Sequence, residues 1–337
     1  KISEIIGELL QDFEFSIDWN EFIDFIVKKE YQEVFEDFSF DVLDDEYHNI
    51  DNQTKLALFY IHQLIYSVLL FSDKNDVILE NEQQKIAQSN IIEKIERYRH
   101  DKGFNNPTTE INKLKNKAFY DSLKNLEQVF DKENYIYSVT LPTGLGKTIT
   151  AFNLADKIRQ LAGFNNSKII INIPFTSIID QNFEVYGDIL KTKQSTTLLK
   201  HHHLSEPTYK TSEDIANYDE SKFLIETWQS DTIVTTFVQL LETLFTCDKA
   251  KLMKFGHLAN SVILLDEIQT VPYEYWETLR EAFKILGEKF NIYFILISAT
   301  QPLIFTPGHD IKELIPDYKS YFQFFNRTKL IIKKETK

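Results

Sequence analysis

The sequence predicts a doubly wound α/β domain built on a parallel sheet and preceded by an all-helical region. From residue 135 onward, short β-rich runs alternate with helical stretches, whereas residues 1 to about 130 show apolar residues at helical spacing. Most of the β-rich runs are continuously apolar, so helices should cover both faces of these strands, which is typical of a parallel sheet. We predict strands at residues 136–141, 168–173, 232–236, 261–265 and 292–297.

The helical region precedes a change of rhythm along the chain. Apolar residues recur with a period of about 3.6 at residues 22–26 and again between Leu56 and Val68. Turn residues at 102–107 interrupt this pattern, and a further helical stretch follows them. We therefore divide the chain into a helical region at 1–105, a helical linker at 106–134 and an α/β domain at 135–337.

The composition is that of a globular protein, with 43% hydrophobic and 26% charged residues. The single cysteine, Cys247, excludes an intramolecular disulfide and favours a reducing, cytoplasmic location. We find no secretory signal and no apolar run near the roughly 20 residues that a membrane span needs, so we predict no membrane partner. The net charge of −14 argues against a general nucleic-acid binder, which would usually carry a basic patch.

The first predicted strand runs into a phosphate-binding loop, Leu141-Pro-Thr-Gly-Leu-Gly-Lys-Thr148. Gly144 and Gly146 allow turns that point backbone N–H groups at a phosphate, and the following helix directs its positive end there. Lys147 would contact the β- and γ-phosphates of ATP, and the Thr148 hydroxyl would bind Mg²⁺. The loop departs from the consensus at its first position, where Leu141 replaces glycine. The residues predicted to bind the nucleotide are Pro142, Thr143, Gly144, Leu145, Gly146, Lys147 and Thr148.

A second predicted strand ends in two adjacent carboxylates, in the sequence Asp266-Glu267-Ile268-Gln269. Asp266 would hold Mg²⁺ through water, and Glu267 would orient and polarise the water that attacks ATP. A helix-capping pair would explain two carboxylates in isolation, but not beside a phosphate-binding loop. The predicted catalytic residues are Lys147, Asp266, Glu267 and Gln269.

A third strand ends in Ser298-Ala299-Thr300. The small hydroxyl side chains of Ser298 and Thr300 suit a relay that couples the nucleotide to a second surface. Ligands in open α/β sheets gather beyond the carboxyl ends of the strands. We therefore expect this motif, the phosphate-binding loop and the Asp-Glu pair to converge.

In this order, the three motifs resemble the first, RecA-like lobe of superfamily 2 helicases. Pro-Thr-Gly-Leu-Gly-Lys-Thr148 together with Leu-Leu-Asp-Glu-Ile-Gln269 resembles more narrowly the CRISPR-associated helicase–nuclease of type I interference systems, over about residues 110–330. The resemblance implies an ATP-dependent DNA helicase or translocase that acts on single-stranded DNA with a CRISPR surveillance complex. It also implies nucleic-acid contacts at Pro174 and Thr176 in one segment and at Thr235 and Thr236 in another, and an end of the lobe near residues 325–327.

The helical region resembles the closing part of that family's histidine–aspartate nuclease domain. The match makes Asp73 a ligand of a divalent transition metal, provided that the other ligands lie upstream in the intact protein. No suitably spaced histidine set precedes Asp73 in this chain, and one carboxylate does not hold a metal cluster. The alternative is a helical docking domain in which Asp73 lies at a helix end.

A run of three histidines and two tryptophans each have a structural and a functional interpretation. We interpret His201-His202-His203 as a loop cluster near the nucleic-acid groove, because adjacent side chains on a strand point to opposite faces and would not chelate one ion. Trp228 and Trp276 could stack on bases, but core or interface positions are favoured.

The resemblance also implies a partner lobe. Superfamily 2 motors hydrolyse ATP between two lobes, and no second lobe with an arginine-rich motif follows Thr300 in this chain. We therefore expect a fragment that binds and hydrolyses ATP weakly by itself. The alternatives are a nucleotide-gated interaction module that unwinds nothing and an RNA helicase lobe.

Overall fold

The computed structural model describes residues 51–79, 86, 90–164, 167–202, 208–211, 215–246, 248–300, 304–305 and 310–325. The helical pattern predicted at residues 22–26 lies outside these residues. So do Cys247, His203 and the last two residues of the predicted lobe end at 325–327.

A seven-stranded sheet, parallel at every pairing, organises the described chain. Its strands are β1 (Ile136–Thr140), β2 (Ile169–Ile173), β3 (Leu198–His201), β4 (Thr232–Thr236), β5 (Val262–Asp266), β6 (Tyr293–Ser298) and β7 (Lys312–Glu313). The order across the sheet is β3-β4-β2-β5-β6-β1-β7. This confirms the predicted α/β class and its parallel sheet.

Ten α-helices lie in the described part of the chain. They are α1 (Asn52–Ile78), α2 (Ile91–Asp101), α3 (Glu110–Val129), α4 (Lys147–Ala162), α5 (Ile179–Leu190), α6 (Tyr218–Glu226), α7 (Phe237–Leu244), α8 (Lys249–Leu252), α9 (Trp276–Phe290) and α10 (Tyr318–Phe324). Short 3₁₀ segments cover Thr176–Ile178, Phe255–His257, Ile268–Thr270 and Tyr273–Tyr275.

The sheet separates two apolar cores, one on each face. Successive residues of β5 alternate between them: Val262 and Leu264 belong to one core, and Ile263 and Leu265 belong to the other. All four side chains are completely buried. A strand that serves two cores has no polar face, which is the physical reason for the continuous apolar runs in the sequence.

Helix α1 corrects one expectation from the sequence. By length and composition it is apolar enough to cross a membrane, although we expected no such run, and 33% of its most apolar window is buried. Tyr60, Ile61 and Leu64 lie in the core beneath the sheet, where the Tyr60 ring stacks on Phe255 at 5.8 Å between ring centroids. Packing onto the α/β domain therefore accounts for part of the apolar character of this helix.

The predicted linker at 106–134 also packs onto the α/β domain. Its helix α3 lies against α4, and the Asn125 side chain donates to the backbone carbonyls of Glu313 and Leu314, both at 3.2 Å. Ala118, Phe119 and Leu126 of α3 are buried in the same core as β1. The described helices before residue 135 thus share the two cores of the sheet.

Two edge strands were not predicted. Strand β3 is short and half-polar, and β7 consists of the two residues Lys312 and Glu313. Neither sequence shows a run of apolar residues, because an edge strand has a neighbour on only one side and fewer positions to bury. His201, which we expected in a loop, is the last residue of β3.

A buried ionic network joins α4 to the loop before β4. The Arg159 guanidinium donates to Asp231 at 2.7 Å and, through Nε, to Asp156 at 2.9 Å. The other Asp156 oxygen accepts the backbone N–H of Ile92 at 3.2 Å. All three charged side chains are at most 4% exposed. The network therefore links α2, α4 and the sheet.

Candidate functional site

The phosphate-binding loop connects β1 to α4. Gly144 (φ 90°) and Gly146 (φ 79°) both adopt left-handed backbone conformations, which glycine reaches without steric cost. Gly146 is the N-cap of α4, and no side chain caps the helix there. The first-turn N–H groups of α4 consequently remain available for an anionic ligand.

Leu141 explains why the loop tolerates a departure from the consensus. Its side chain is completely buried in the core that contains β1, and its backbone N–H donates to the Ser298 carbonyl at 3.1 Å. The first consensus position therefore anchors the loop to β6. The glycines that shape the loop lie further along the chain.

Lys147 and Glu267 meet across the site. The Lys147 Nζ lies 2.8 Å from Glu267 Oε1, and the two side chains are 12% and 30% exposed. Glu267 has a left-handed backbone (φ 56°), and its N–H donates to the Ile297 carbonyl at 2.7 Å. This turn at the end of β5 directs the carboxylate toward the first residue of α4.

Asp266, the last residue of β5, is a largely buried carboxylate. Burial raises its pKa to about 6; the neighbouring Glu267 charge adds to this effect and Lys147 opposes it. The negative charge of Asp266 is therefore incompletely compensated by the protein. A divalent cation beside this carboxylate would favour its ionised form, so the residue is chemically suited to hold one.

A chain of side-chain hydrogen bonds runs from Glu267 to the end of β6. Gln269 Nε2 donates to Glu267 Oε2, and Ser298 Oγ donates to Gln269 Oε1 at 3.0 Å. The Thr300 backbone N–H donates to Ser298 Oγ at 2.9 Å. The structure thus brings together Lys147, Glu267, Gln269, Ser298 and Thr300, which belong to three separate motifs.

The family model described as "Type III restriction enzyme, res subunit" matches residues 77–302, more than half of the chain. The chain belongs to this family. It is also 34% identical over 184 residues to the CRISPR-associated nuclease/helicase Cas3 of Haloferax volcanii, an alignment covering 50% of this chain and 19% of that relative. This res-subunit family member therefore shares sequence similarity with part of a CRISPR-associated nuclease/helicase.

Solved structures of Cas3 and of another helicase are also similar to this res-subunit family member. T. fusca Cas3 matches with a TM-score of 0.44 and 16% identity, over 64% of this chain and 23% of that one. The Pyrococcus furiosus Hef helicase domain matches with a TM-score of 0.38 and 16% identity, over 60% and 39%. Both TM-scores are below 0.5, so the description of the fold rests on the sheet itself.

The residues that the sequence assigned to nucleic acid differ in accessibility in this res-subunit family member. Pro174 and Thr176 lie partly exposed just after β2. Thr235 is completely buried, and its hydroxyl donates to the His201 carbonyl at 2.7 Å. Thr236 is the buried N-cap of α7 and accepts the Gln239 N–H. Contacts from the two threonines remain predictions, and these bonds give both side chains a structural role.

The same two segments carry exposed apolar side chains that we did not predict from the sequence to be surface groups. Phe175 is 56% exposed after β2, and Val238 is 61% exposed in the first turn of α7. Both lie inside the stretches that carry the family resemblance. Their residue types predict burial, so only the structure identifies them as surface groups.

His201, Trp228 and Trp276 form hydrogen bonds to neighbouring residues of the α/β domain. Trp228 is completely buried, as favoured, and its Nε1 donates to His201 Nδ1 at 2.8 Å. Burial lowers the pKa of His201 to about 3, with the positive charge of Lys254 adding to the effect. Trp276 donates to the Val271 carbonyl at 2.8 Å. His201 and both tryptophans thus take part in packing.

Asp73 lies on the exposed surface of α1, inside the helix, which ends at Ile78. Within the described ranges, no three His, Cys, Asp or Glu side chains are grouped so that they could hold a metal ion. The metal-ligand role of Asp73 therefore remains a prediction about the intact protein.

A partly open cavity of about 110 Å³ adjoins the phosphate-binding loop. Gly146 and Ile149 line one wall, and Arg99, Asn112 and Asn116, from α2 and α3, line the other. Arg99 is 4% exposed, stacks over the Phe119 ring at 3.8 Å and donates to Asn116 Oδ1 at 2.9 Å. The sequence did not predict this cavity, because its two walls are about 30 to 50 residues apart along the chain.

Substituting Ser298 tests the relay. In S298A, Gln269 Oε1 and the Thr300 N–H each lose a hydrogen-bond partner, while the Lys147–Glu267 pair stays in place. We expect ATP affinity within about twofold of wild type, and nucleic-acid stimulation of hydrolysis reduced about tenfold, which corresponds to losing the Ser298–Gln269 hydrogen bond of the relay at about 1.5 kcal/mol. Steady-state phosphate release with and without single-stranded DNA measures this in the intact protein. Unchanged stimulation would contradict a coupling role.

Proposed function

We propose that this chain is the ATP-binding lobe of an ATP-dependent helicase or translocase that works in CRISPR interference. One observation carries the proposal: the Lys147–Glu267 ion pair continues through Gln269 to Ser298. A ligand that contacts Lys147 would therefore affect the phosphate-binding loop, the Asp-Glu pair and the end of β6 together. The similarity to the nuclease/helicase Cas3 of Haloferax volcanii supports the CRISPR context.

In the proposed reaction, the triphosphate of ATP binds at the loop and competes with Glu267 for the Lys147 ammonium. When the Lys147 ammonium moves to the β- and γ-phosphates, the Glu267 carboxylate is released and can orient the attacking water. This movement would change the hydrogen bond between Glu267 and Gln269. The change would reach Ser298 and Thr300, which are hydrogen-bonded beyond Gln269. This exchange of partners would couple hydrolysis to a second surface.

Mg²⁺ fits this site by the chemistry of two residues. The Thr148 hydroxyl lies in the first turn of α4, and Asp266 is a largely buried carboxylate whose pKa burial raises, with the Glu267 charge adding to the effect. When bound, Mg²⁺ would supply positive charge to the β- and γ-phosphate oxygens. Thr148 and Asp266 would hold it, and Asp266 would be ionised in that state.

We propose single-stranded DNA, a surveillance complex and a second helicase lobe as partners of the intact protein. The chain covers 19% of the length of the Haloferax volcanii relative, so these partners concern more than the described lobe. Pro174 and Thr176 would contact the nucleic-acid backbone at the carboxyl end of β2. Comparing single-stranded DNA with RNA as stimulators distinguishes a DNA motor from an RNA motor.

Glu267→Gln in the intact protein tests the proposed function. The amide retains hydrogen bonding to Gln269 but cannot act as a carboxylate toward water, so we expect ATP binding to persist while DNA-stimulated hydrolysis falls by about 10²- to 10⁴-fold. Phosphate release at saturating ATP is the measurement. Glu274→Gln, at an exposed position seven residues away, is the matched control and should retain wild-type rates.

Wild-type hydrolysis that is indifferent to DNA and to RNA would contradict the helicase proposal. A nucleotide-gated interaction module would then explain the site instead.

A further inference from the structure

A groove of about 880 Å³ lies at the edge of the sheet, between α5 and β3. It begins at Thr176 and Ser177, just beyond β2, and follows the length of β3 toward Ser195. Four residues of strand correspond to about 13 Å at roughly 3.3 Å per residue. The groove is therefore longer than a single phosphate and starts where a nucleic-acid contact is proposed.

Three lysines line this groove in a protein of net charge −14. Lys193 and Lys210 are exposed, and the Lys200 Nζ lies 2.7 Å from Asp180 Oδ1. Among the described lining residues, Asp180 is the sole carboxylate. The described walls thus carry an excess of positive charge, which is opposite to the charge of the chain as a whole.

The remaining polar lining groups are suited to phosphate oxygens. Thr176, Ser177 and Thr208 line the groove together with the lysines, and so does Ser195, whose Oγ accepts the Lys210 backbone N–H at 3.0 Å. Phosphate contacts in nucleic-acid complexes come largely from lysine, arginine and hydroxyl side chains. These groups carry no base-edge recognition, so sequence-independent binding is expected.

An aromatic side chain adds a second kind of contact. Phe183 forms part of the groove wall, with Lys200 Nζ 5.6 Å from its ring centroid. Phe175, next to Thr176 in the chain, is 56% exposed. Proteins that bind single strands without sequence preference combine a basic groove with aromatic rings on which bases stack. An acidic protein segment would use the lysines but would gain little from the aromatic rings.

We propose that this groove binds the phosphate backbone of single-stranded nucleic acid and extends its path from Thr176 along the outer edge of β3. The inference rests on the proposed function, and it adds a binding track beyond the residues that the sequence assigned to nucleic acid. Lys193 and Lys210 are the principal phosphate contacts. Phe183 provides a stacking surface between them and Thr176.

The double substitution K193E/K210E tests the track. Fluorescence anisotropy of a labelled oligothymidylate, titrated with the intact protein over a series of salt concentrations, gives affinity and salt dependence. We expect at least tenfold weaker binding, and a slope of log K against log salt whose magnitude falls by about 1.4, which is about 0.7 for each of two contacts. ATP affinity should stay at the wild-type value, which shows that the lobe is folded.

K124E/K132E is the matched control, with the same change in net charge. Both lysines are exposed, and they lie in α3 and just after it, before β1 begins. This variant should bind the oligonucleotide within about twofold of wild type. Equal losses in the two variants would show a general charge effect and overturn the track.

Other outcomes separate the track from the proposed function. If wild type binds the oligonucleotide and K193E/K210E binds it equally well, the track is wrong while the helicase proposal stands. If wild type binds no single strand in any salt, the nucleic-acid part of the proposed function fails, and the track fails with it. If polyglutamate displaces the label as effectively as unlabelled oligothymidylate, the groove recognises acidic polymers in general, and single-stranded nucleic acid is the wrong occupant.

Discussion

Lys147→Ala should weaken ATP binding by about 30-fold and abolish measurable hydrolysis in the intact protein. The lysine is the ammonium group that the structure places between the phosphate-binding loop and Glu267, at 2.8 Å from the carboxylate. A charge-assisted hydrogen bond contributes about 2 kcal/mol, which corresponds to about 30-fold in Kd. Its loss also leaves Glu267 without its ion-pair partner, so the remaining negative charge repels the triphosphate.

Titration of a fluorescent ATP analogue, followed by phosphate-release assays, measures both effects. Lys157→Ala is the matched control, because Lys157 lies on the same helix and pairs with Glu127 at 2.5 Å, outside the site. We expect the control to bind ATP normally. If K147A binds and hydrolyses ATP like the control, the loop does not hold a triphosphate, and the proposed site is wrong.

Asp231→Ala should lower the free energy of unfolding by about 3–5 kcal/mol, the cost of breaking a buried ion pair by removing one partner. Asp231 accepts a hydrogen bond from Arg159 at 2.7 Å, and both side chains are at most 4% exposed. Asp231 also opposes the effect of burial on the neighbouring Lys168, whose pKa burial lowers to about 8. Two buried cations would therefore lose compensating charge in this variant.

Denaturant unfolding of the chain measures the loss. Asp219→Ala, at an exposed position in the first turn of α6, is the control and should cost about 1 kcal/mol or less. If D231A and D219A lose equal stability, the network contributes nothing beyond a surface carboxylate.

Much of the proposed ATP site was predictable because its parts are local. The spacing of Gly144, Gly146 and Lys147 between a strand and a helix indicates a phosphate cradle from the sequence itself. The structure brings Lys147 to Glu267 and Glu267 to Gln269 as the parallel topology requires. Catalytic roles for these residues remain predictions until they are measured.

Elements with weak local patterns were less predictable. Strand β3 is half-polar and β7 is two residues long, so neither carries the apolar run that revealed the five predicted strands. Helix α1 shows the opposite case. Its apolar residues were visible, but the length of the helix and its packing on Phe255 depend on partners nearly two hundred residues away.

The sequence by itself determined the parallel α/β class, the central strands and the three motifs of the proposed ATP site, because periodicity and motif spacing act within a few residues. Only the tertiary structure decided which groups are accessible. It buries Thr235 and Trp228, exposes Phe175, and forms the lysine-lined groove beside β3. The reason is physical: exposure depends on which distant segments pack over a side chain, and one sequence does not state those long-range contacts.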